Sequence, residues 1–162
     1  MLRILVIMVV LVATLPMFAQ QSTDRPRVFT GEQATAGQRE LRENQFGACA
    51  DCHAKSLTGR FGDKDEIPEL SSLPEDLQAT IRNNGGNVPQ LVGPKFMARW
   101  GARSTKDFSA EMKSRFSGPL NEETQLNIMA YILQLNGALP GPQPLMRFTD
   151  VEVGKLTGAS AK

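Results

Sequence analysis

The sequence predicts an all-α protein, and three observations lead to that class. Apolar residues recur at helical spacing in several segments that also carry helix start and stop signals. No segment alternates apolar and polar residues convincingly enough to be a strand, and no internal repeat is visible. Both cysteines and the only histidine fall together at Cys49, Cys52 and His53, so the chemistry of the chain is concentrated at one point.

With 162 residues, of which 41% are hydrophobic and 22% charged, the chain suits one domain of ordinary size. Its 18 basic and 17 acidic residues give a net charge of +1, which lacks the bias of a polyanion binder; no nucleic-acid partner is expected. A single histidine excludes mechanisms that need two. Two cysteines exclude both a four-cysteine zinc site and a disulfide-rich scaffold.

Residues 1–19 read as a secretory signal peptide. An apolar run from Leu2 to Leu15 carries Arg3 as its only charge and gives way through Pro16, Met17, Phe18 and Ala19 to polar sequence at Gln20. The run is shorter than the roughly 20 residues of a spanning helix, which favours a cleaved leader over a retained anchor. No cysteine follows it, so no lipid anchor is expected. The mature chain is expected in the periplasm, with membrane attachment only if the leader is retained. Loss of Arg3 takes the basic count from 18 to 17 against 17 acidic residues, so any steering of partners must come from local patches.

Residues 20–34 are polar around Pro26 and read as a flexible lead-in to a domain over 35–146. From Thr35 the pattern turns helical, with Gly37, Leu41 and Gln45 on one face and Arg39, Glu40, Arg42 and Glu43 toward solvent, ending near Phe46 and Gly47. Residues 54–72, with Gly59, Gly62, Pro68 and paired serines, read as loop. Leu73 to Arg82 opens on Pro74, Glu75 and Asp76, spaces Leu77 and Ile81 four apart, and is stopped by Asn83, Asn84, Gly85 and Gly86.

Ser104 followed by Asp107 resembles a capping box ahead of a helix on which Phe108 and Met112 share a face. The strongest helix runs from an N-cap at Asn121 to Asn136, with Gly137 as a left-handed stop. Its apolar residues cover well over half its circumference, so it is expected to be largely buried. Pro140, Pro142 and Pro144 make an extended arm, and residues 147–162 read as a frayed tail.

Cys49-Ala50-Asp51-Cys52-His53 has the spacing of c-type haem attachment. Two thiols add to two vinyl groups on adjacent pyrroles, two intervening residues let the backbone span them, and the next histidine is carried under the iron as proximal ligand. A disulfide or thioredoxin-like pair would account for the cysteines, but that redox motif belongs to a strand-rich fold. Zinc would need a fourth ligand from a second cysteine or histidine pair, which the chain lacks.

With no second histidine, the sixth iron ligand is expected to be a methionine, whose soft thioether raises the reduction potential. Beyond the leader the candidates are Met97, Met112, Met129 and Met146. Met129 falls inside the buried terminal helix and reads as core. Met97 adjoins a predicted loop, and Met146 follows the proline arm. Met112, at the end of a short helix before the flexible stretch Ser114–Pro119, is placed for loop-borne sulfur to reach the iron.

Over roughly Ala36 to Leu145 the chain resembles the class I cytochrome c family. Within that family it more closely resembles the small cytochrome c domains and subunits that accompany pyrroloquinoline-quinone (PQQ)-dependent alcohol dehydrogenases. Gly37 with Leu41 is similar to the family's Gly-then-aromatic helix face, with leucine for the aromatic. Cys49 to His53 matches the haem motif, and Leu57-Thr58-Gly59 the Leu-x-Gly that tends to follow it. Pro89-Gln90-Leu91-Val92-Gly93, then Phe96 and Trp100, is similar to the family's Pro-x-Leu-x-Gly, Phe and Trp. Met112 to Leu120 has the length of its Met-Pro-x-x-x-Pro-Gly-Ser-Leu, and Ala130-Tyr131-Ile132-Leu133, Asn136-Gly137 and the prolines resemble its last helix and exit. Three departures stand out. Lys113 replaces the proline after the methionine, Gly118-Pro119 is reordered, and the segment 60–88 is longer than in many members.

The resemblance implies a cytochrome c-like helical wrap around one covalently bound haem c. In it, Gly37 lets the first helix approach Ile128, Tyr131 or Ile132, and Met112 is the axial ligand opposite His53. It implies that the Pro89 carbonyl accepts the second imidazole N–H of His53. For Trp100 two roles stand side by side, donation to a haem propionate and a core tryptophan with another partner; Arg99 and Arg103 beside it would neutralise a propionate or simply be solvated.

With both axial positions filled, the expected function is that of a non-catalytic carrier of single electrons between redox proteins, exchanging them at a haem edge near Ala48 and Ala50. A quinoprotein dehydrogenase or a terminal oxidase is the implied partner. The alternative is a haem enzyme or gas sensor with a labile sixth ligand. A haem buries more apolar surface than any side chain, so the haem-free chain is expected to fold poorly.

Overall fold

The structure, a computed structural model, describes residues 25–43, 49, 53, 54, 56–59, 70, 71, 73–83, 85, 86, 88–115 and 120–158. The fold is all-α. The described residues contain the helices α1 (Gly31–Glu43), α2 (Glu75–Asn83), α3 (Pro94–Trp100), α4 (Thr105–Arg115), α5 (Glu122–Leu135) and α6 (Val153–Thr157), and no strand among them. An antiparallel bridge joins Ser104 to Glu152. The predicted signal peptide 1–19 lies outside the described residues.

Helix α5 is the axis of the molecule. Asn121 caps it, its side chain accepting from the Thr124 N–H at 2.8 Å, and residues Gln125 to Leu133 are all buried. Gly137, at φ 93°, stops it in the left-handed conformation that glycine adopts without steric cost.

Helix α1 crosses α5 through Gly37. A Cβ built on Gly37 would lie 1.8 Å from the Asn127 carbonyl oxygen and 2.8 Å from the Ile128 nitrogen, so the two backbones touch with no side chain between them. Ala34 and Leu41, on the same face, are buried. Glu40, predicted to face solvent, is half-buried and accepts from the Asn127 amide at 3.3 Å.

Helix α1 starts at Gly31, four residues ahead of the predicted Thr35. Thr30 caps it, accepting from the Gln33 N–H at 3.1 Å. Thr30-Gly31-Glu32-Gln33 has the spacing of a capping box, a start signal that the apolar periodicity beginning further on concealed. The Gln33 amide turns away instead, donating to the Leu145 carbonyl at 3.1 Å and accepting from the Leu145 N–H at 2.7 Å.

Both ends of the chain depart from expectation. The residues before α1 were predicted as a flexible lead-in, yet Phe29 is fully buried and its carbonyl accepts from the Gly141 N–H at 2.7 Å. Arg25 donates to the carbonyls of Gly137 at 3.1 Å and Thr157 at 3.0 Å. The predicted frayed tail forms α6, with Val153 and Leu156 fully buried. Buried Thr105 ties that tail down, donating through its hydroxyl to the Thr149 carbonyl at 2.7 Å and through its N–H to the Val151 carbonyl at 2.9 Å.

The proline after Gly93 opens α3, a helix where only a loop beside Met97 was predicted; Phe96 and Trp100, one turn apart, go to the core. On α4 the capping box is present in both directions, Ser104 Oγ accepting from the Asp107 N–H at 3.2 Å and Asp107 accepting from the Ser104 N–H at 3.3 Å. The buried Gln125 amide ties α4 to α5 by donating to the Ser109 carbonyl at 2.7 Å.

Helix α2 stands apart. Leu70, Ile81 and Val88, with Leu73 against them, form a small cluster separate from the main core. The helix ends where Gly85 and Gly86 turn left-handed, the Gly86 N–H reaching back to the Ile81 carbonyl at 2.9 Å.

Candidate haem-attachment site

His53 and Pro89 lie 36 residues apart in sequence and meet through a hydrogen bond of 2.7 Å between the His53 Nδ1 and the Pro89 carbonyl. A carbonyl only accepts, so Nδ1 is the donor, the arrangement that in a neutral ring leaves the lone pair on Nε2. A metal-ligating imidazole requires that tautomer when it coordinates through Nε2.

The backbone after His53 turns left-handed at two residues that carry a Cβ. Ala54 and Leu57 take positive φ values of 65° and 59°, a left-handed conformation that costs a residue with a Cβ about 1–2 kcal/mol. Three hydrogen bonds offset this. The Leu57 N–H donates to the Ala54 carbonyl at 2.9 Å, the Gly59 N–H to the His53 carbonyl at 3.0 Å, and the Leu91 N–H to the Leu57 carbonyl at 2.9 Å. The last of these joins the turn that follows His53 to the loop that carries Pro89.

That loop is fastened in turn to the end of α5. The Asn136 side chain accepts from the Gly93 N–H at 2.9 Å and donates to the carbonyls of Leu91 at 2.9 Å and Ile132 at 2.8 Å. A cleft of about 240 Å³ adjoins the same turn, between Leu57 and Val92 on one side and Leu41, Tyr131 and Leu135 on the other.

Cys49 is half-buried and packs against the main core, the cluster that also contains Trp100 and Met112. Cys52, Ala48 and Ala50 lie outside the described residues. Among the four methionines proposed from the sequence, Met112 and Met129 are buried in that cluster, Met97 is half-buried on α3, and Met146 is exposed.

Met112 sits in the last turn of α4, on the helix where the sequence places it, and that helix continues to Arg115, past Ser114 where the flexible stretch is predicted to begin. Lys113 explains the continuation: it keeps the backbone N–H and the freedom to be helical that a proline at this position would remove.

Trp100 packs on Phe108 with ring centroids 4.7 Å apart, and Phe96 meets Phe108 edge-on at 5.6 Å. The Arg103 guanidinium lies 4.1 Å from the Trp100 ring centroid and that of Arg99 5.5 Å. Both arginines pair with the Glu111 carboxylate, Arg103 at 3.3 Å. A carboxylate of the chain itself therefore takes the charge of the two groups that the sequence offered to a propionate.

Sequence reasoning named His53 and Pro89, which the structure brings together, but not Asn136, which reads locally as a helix end before glycine. Its capacity to bond a loop more than 40 residues away leaves no mark in the pattern. Among the described residues, no group of three or more His, Cys, Asp or Glu side chains is placed to hold a metal ion, and no helix is long and apolar enough to cross a membrane. In comparisons with known proteins, no family model matches the chain, nor does any curated protein or solved structure.

Proposed function

We propose that this chain is an exported monohaem c-type cytochrome that passes single electrons between redox proteins in the periplasm. The observation that carries the reading is the Cys49-x-x-Cys52-His53 motif with the His53 Nδ1 donating to the Pro89 carbonyl. A carbonyl partner on that nitrogen orients an imidazole for coordination through the other, and in the motif that histidine directly follows the second of the two cysteines. A thioredoxin-like reading lacks its strand-rich scaffold among the described residues.

One haem c would draw on four donors of this chain. The Cys49 and Cys52 thiols would form the thioether links, His53 would coordinate through Nε2, and the thioether of Met112, buried on α4, would be the second protein ligand. When bound, the haem supplies a reversible one-electron couple. Pro89 holds the His53 ring in one tautomer and plane, and Phe96, Trp100, Phe108 and Met129 exclude water from the core around Met112. A ligand set held this rigidly reorganises little when an electron arrives or leaves, which suits a carrier rather than a catalyst. A quinoprotein dehydrogenase or a terminal oxidase is the proposed class of partner, docked weakly and transiently.

The protein made with haem-attachment machinery should carry one haem per chain, shown by its mass and its alkaline pyridine spectrum, and Cys52→Ala should lose the second thioether. A chain that matures without haem overturns the reading. The ferric protein should also show the weak long-wavelength band of methionine ligation, lost in Met112→Ala.

The helical setting of Met112, with Lys113 behind it, favours a second reading: a haem enzyme or gas sensor with a labile sixth ligand. A high-spin resting spectrum in the unmodified protein would select that reading over the carrier.

A further inference from the structure

Asn136 ends α5, and its side chain makes three hydrogen bonds where a helix cap needs one. The Nδ2 group closes the helix by donating to the Ile132 carbonyl at 2.8 Å and also donates to the Leu91 carbonyl at 2.9 Å. The Oδ1 atom accepts from the Gly93 N–H at 2.9 Å. One planar amide thus makes two donations and one acceptance, whereas a hydroxyl has one hydrogen to donate and a carboxylate none. Gly93, at φ 84°, turns its N–H into that pairing in a backbone conformation open to glycine at little steric cost.

The consequence reaches His53. Leu91 is held from both sides, its carbonyl by Asn136 and its N–H by the Leu57 carbonyl at 2.9 Å. Two residues before it, Pro89 is exposed and turns its carbonyl to the His53 Nδ1 at 2.7 Å. The position of that carbonyl rests on the rigid end of α5 and not on burial of Pro89 itself.

We propose that Asn136 is a positioning residue for His53: by fastening residues 91–93 to the end of α5, it sets the Pro89 carbonyl against the imidazole and so fixes the ring's tautomer and its strength as a ligand. This rests on the haem reading above for its meaning, but the positioning itself concerns residues of the chain alone. A weaker bond from Nδ1–H to the carbonyl makes the imidazole a poorer electron donor, which weakens the iron–histidine bond and raises the reduction potential.

The test compares Asn136→Ala and Asn136→Asp with Asn121→Ala. The Asp variant keeps the shape and loses the two donations. Asn121→Ala removes the cap at the other end of the same helix and lowers stability without touching the loop. In ferrous protein carrying Met112→Ala, both Asn136 variants should move the iron–histidine stretching band to lower frequency, and in otherwise unmodified protein both should raise the reduction potential. Asn121→Ala should lower the melting temperature and leave band and potential unchanged. Unchanged values in the Asn136 variants, or an equal change in Asn121→Ala, overturn the proposal.

A chain found without haem would instead sink the reading above. The positioning would then be read from the ring-nitrogen resonances of His53, the only histidine present. Those should report a proton on Nδ1 in the unmodified chain and a shift toward Nε2 in Asn136→Ala; an unshifted pattern overturns the proposal.

Discussion

The crossing of α1 on α5 and the loop that holds His53 are built by opposite means. At the crossing, backbone meets backbone through Gly37, and buried apolar groups close around it. At the loop, exposed Pro89 is set by hydrogen bonds relayed from Leu57 and Asn136, with little apolar burial of its own. The first arrangement is intolerant of volume and carries stability. The second tolerates changes of side chain so long as donors and acceptors stay where they are, and it carries orientation.

The largest effect should come from adding a methyl group at the crossing. Alanine at a helix interior is favoured over glycine by about 1 kcal/mol, but a Cβ 1.8 Å from the Asn127 oxygen cannot be accommodated without parting the helices. Gly37→Ala should therefore lose about 3 kcal/mol or more, read as a fall in the midpoint of denaturant unfolding. A stable Gly37→Ala protein would show that the backbones do not touch.

Next in size, Leu156→Ala should lose about 3 kcal/mol by leaving a cavity where α6 closes the core. A loss of a few tenths would mean that α6 contributes nothing to the fold.

The smallest effect belongs to Pro89→Ala, which keeps the carbonyl that His53 uses. It should cost less than about 1 kcal/mol, through the greater freedom of the unfolded chain. It should leave the iron–histidine band in place, in contrast to the variants at Asn136. A band shift in Pro89→Ala as large as theirs would place the control in the proline ring and not in the relayed hydrogen bonds.

The parts of this fold legible in the sequence are those whose causes are local. Asn121 caps α5, Ser104 and Asp107 cap α4 reciprocally, and Gly137 stops its helix left-handed, all within a few residues of one another. The motif proposed to attach haem is equally local, with Cys49, Cys52 and His53 inside five residues. Residues 25–30 and 147–158 were misread because their apolar groups are sparse. Phe29, Val153 and Leu156 are buried by what surrounds them and not by any periodicity of their own. The start of α1 was legible in Thr30 and Gln33 but lay outside the apolar stripe.

The sequence by itself determined an all-α chain, its principal helices with their caps, and a single point of chemistry at Cys49, Cys52 and His53. Only the tertiary structure decided that Met112 is buried in the main core, that Glu111 takes the charge of Arg99 and Arg103, and that Asn136 holds the loop whose carbonyl meets His53. Periodicity and capping act over one or two turns of chain, whereas those contacts join residues from 8 to 45 positions apart. Which donor meets which acceptor at that separation is decided by how α1 and α5 pack.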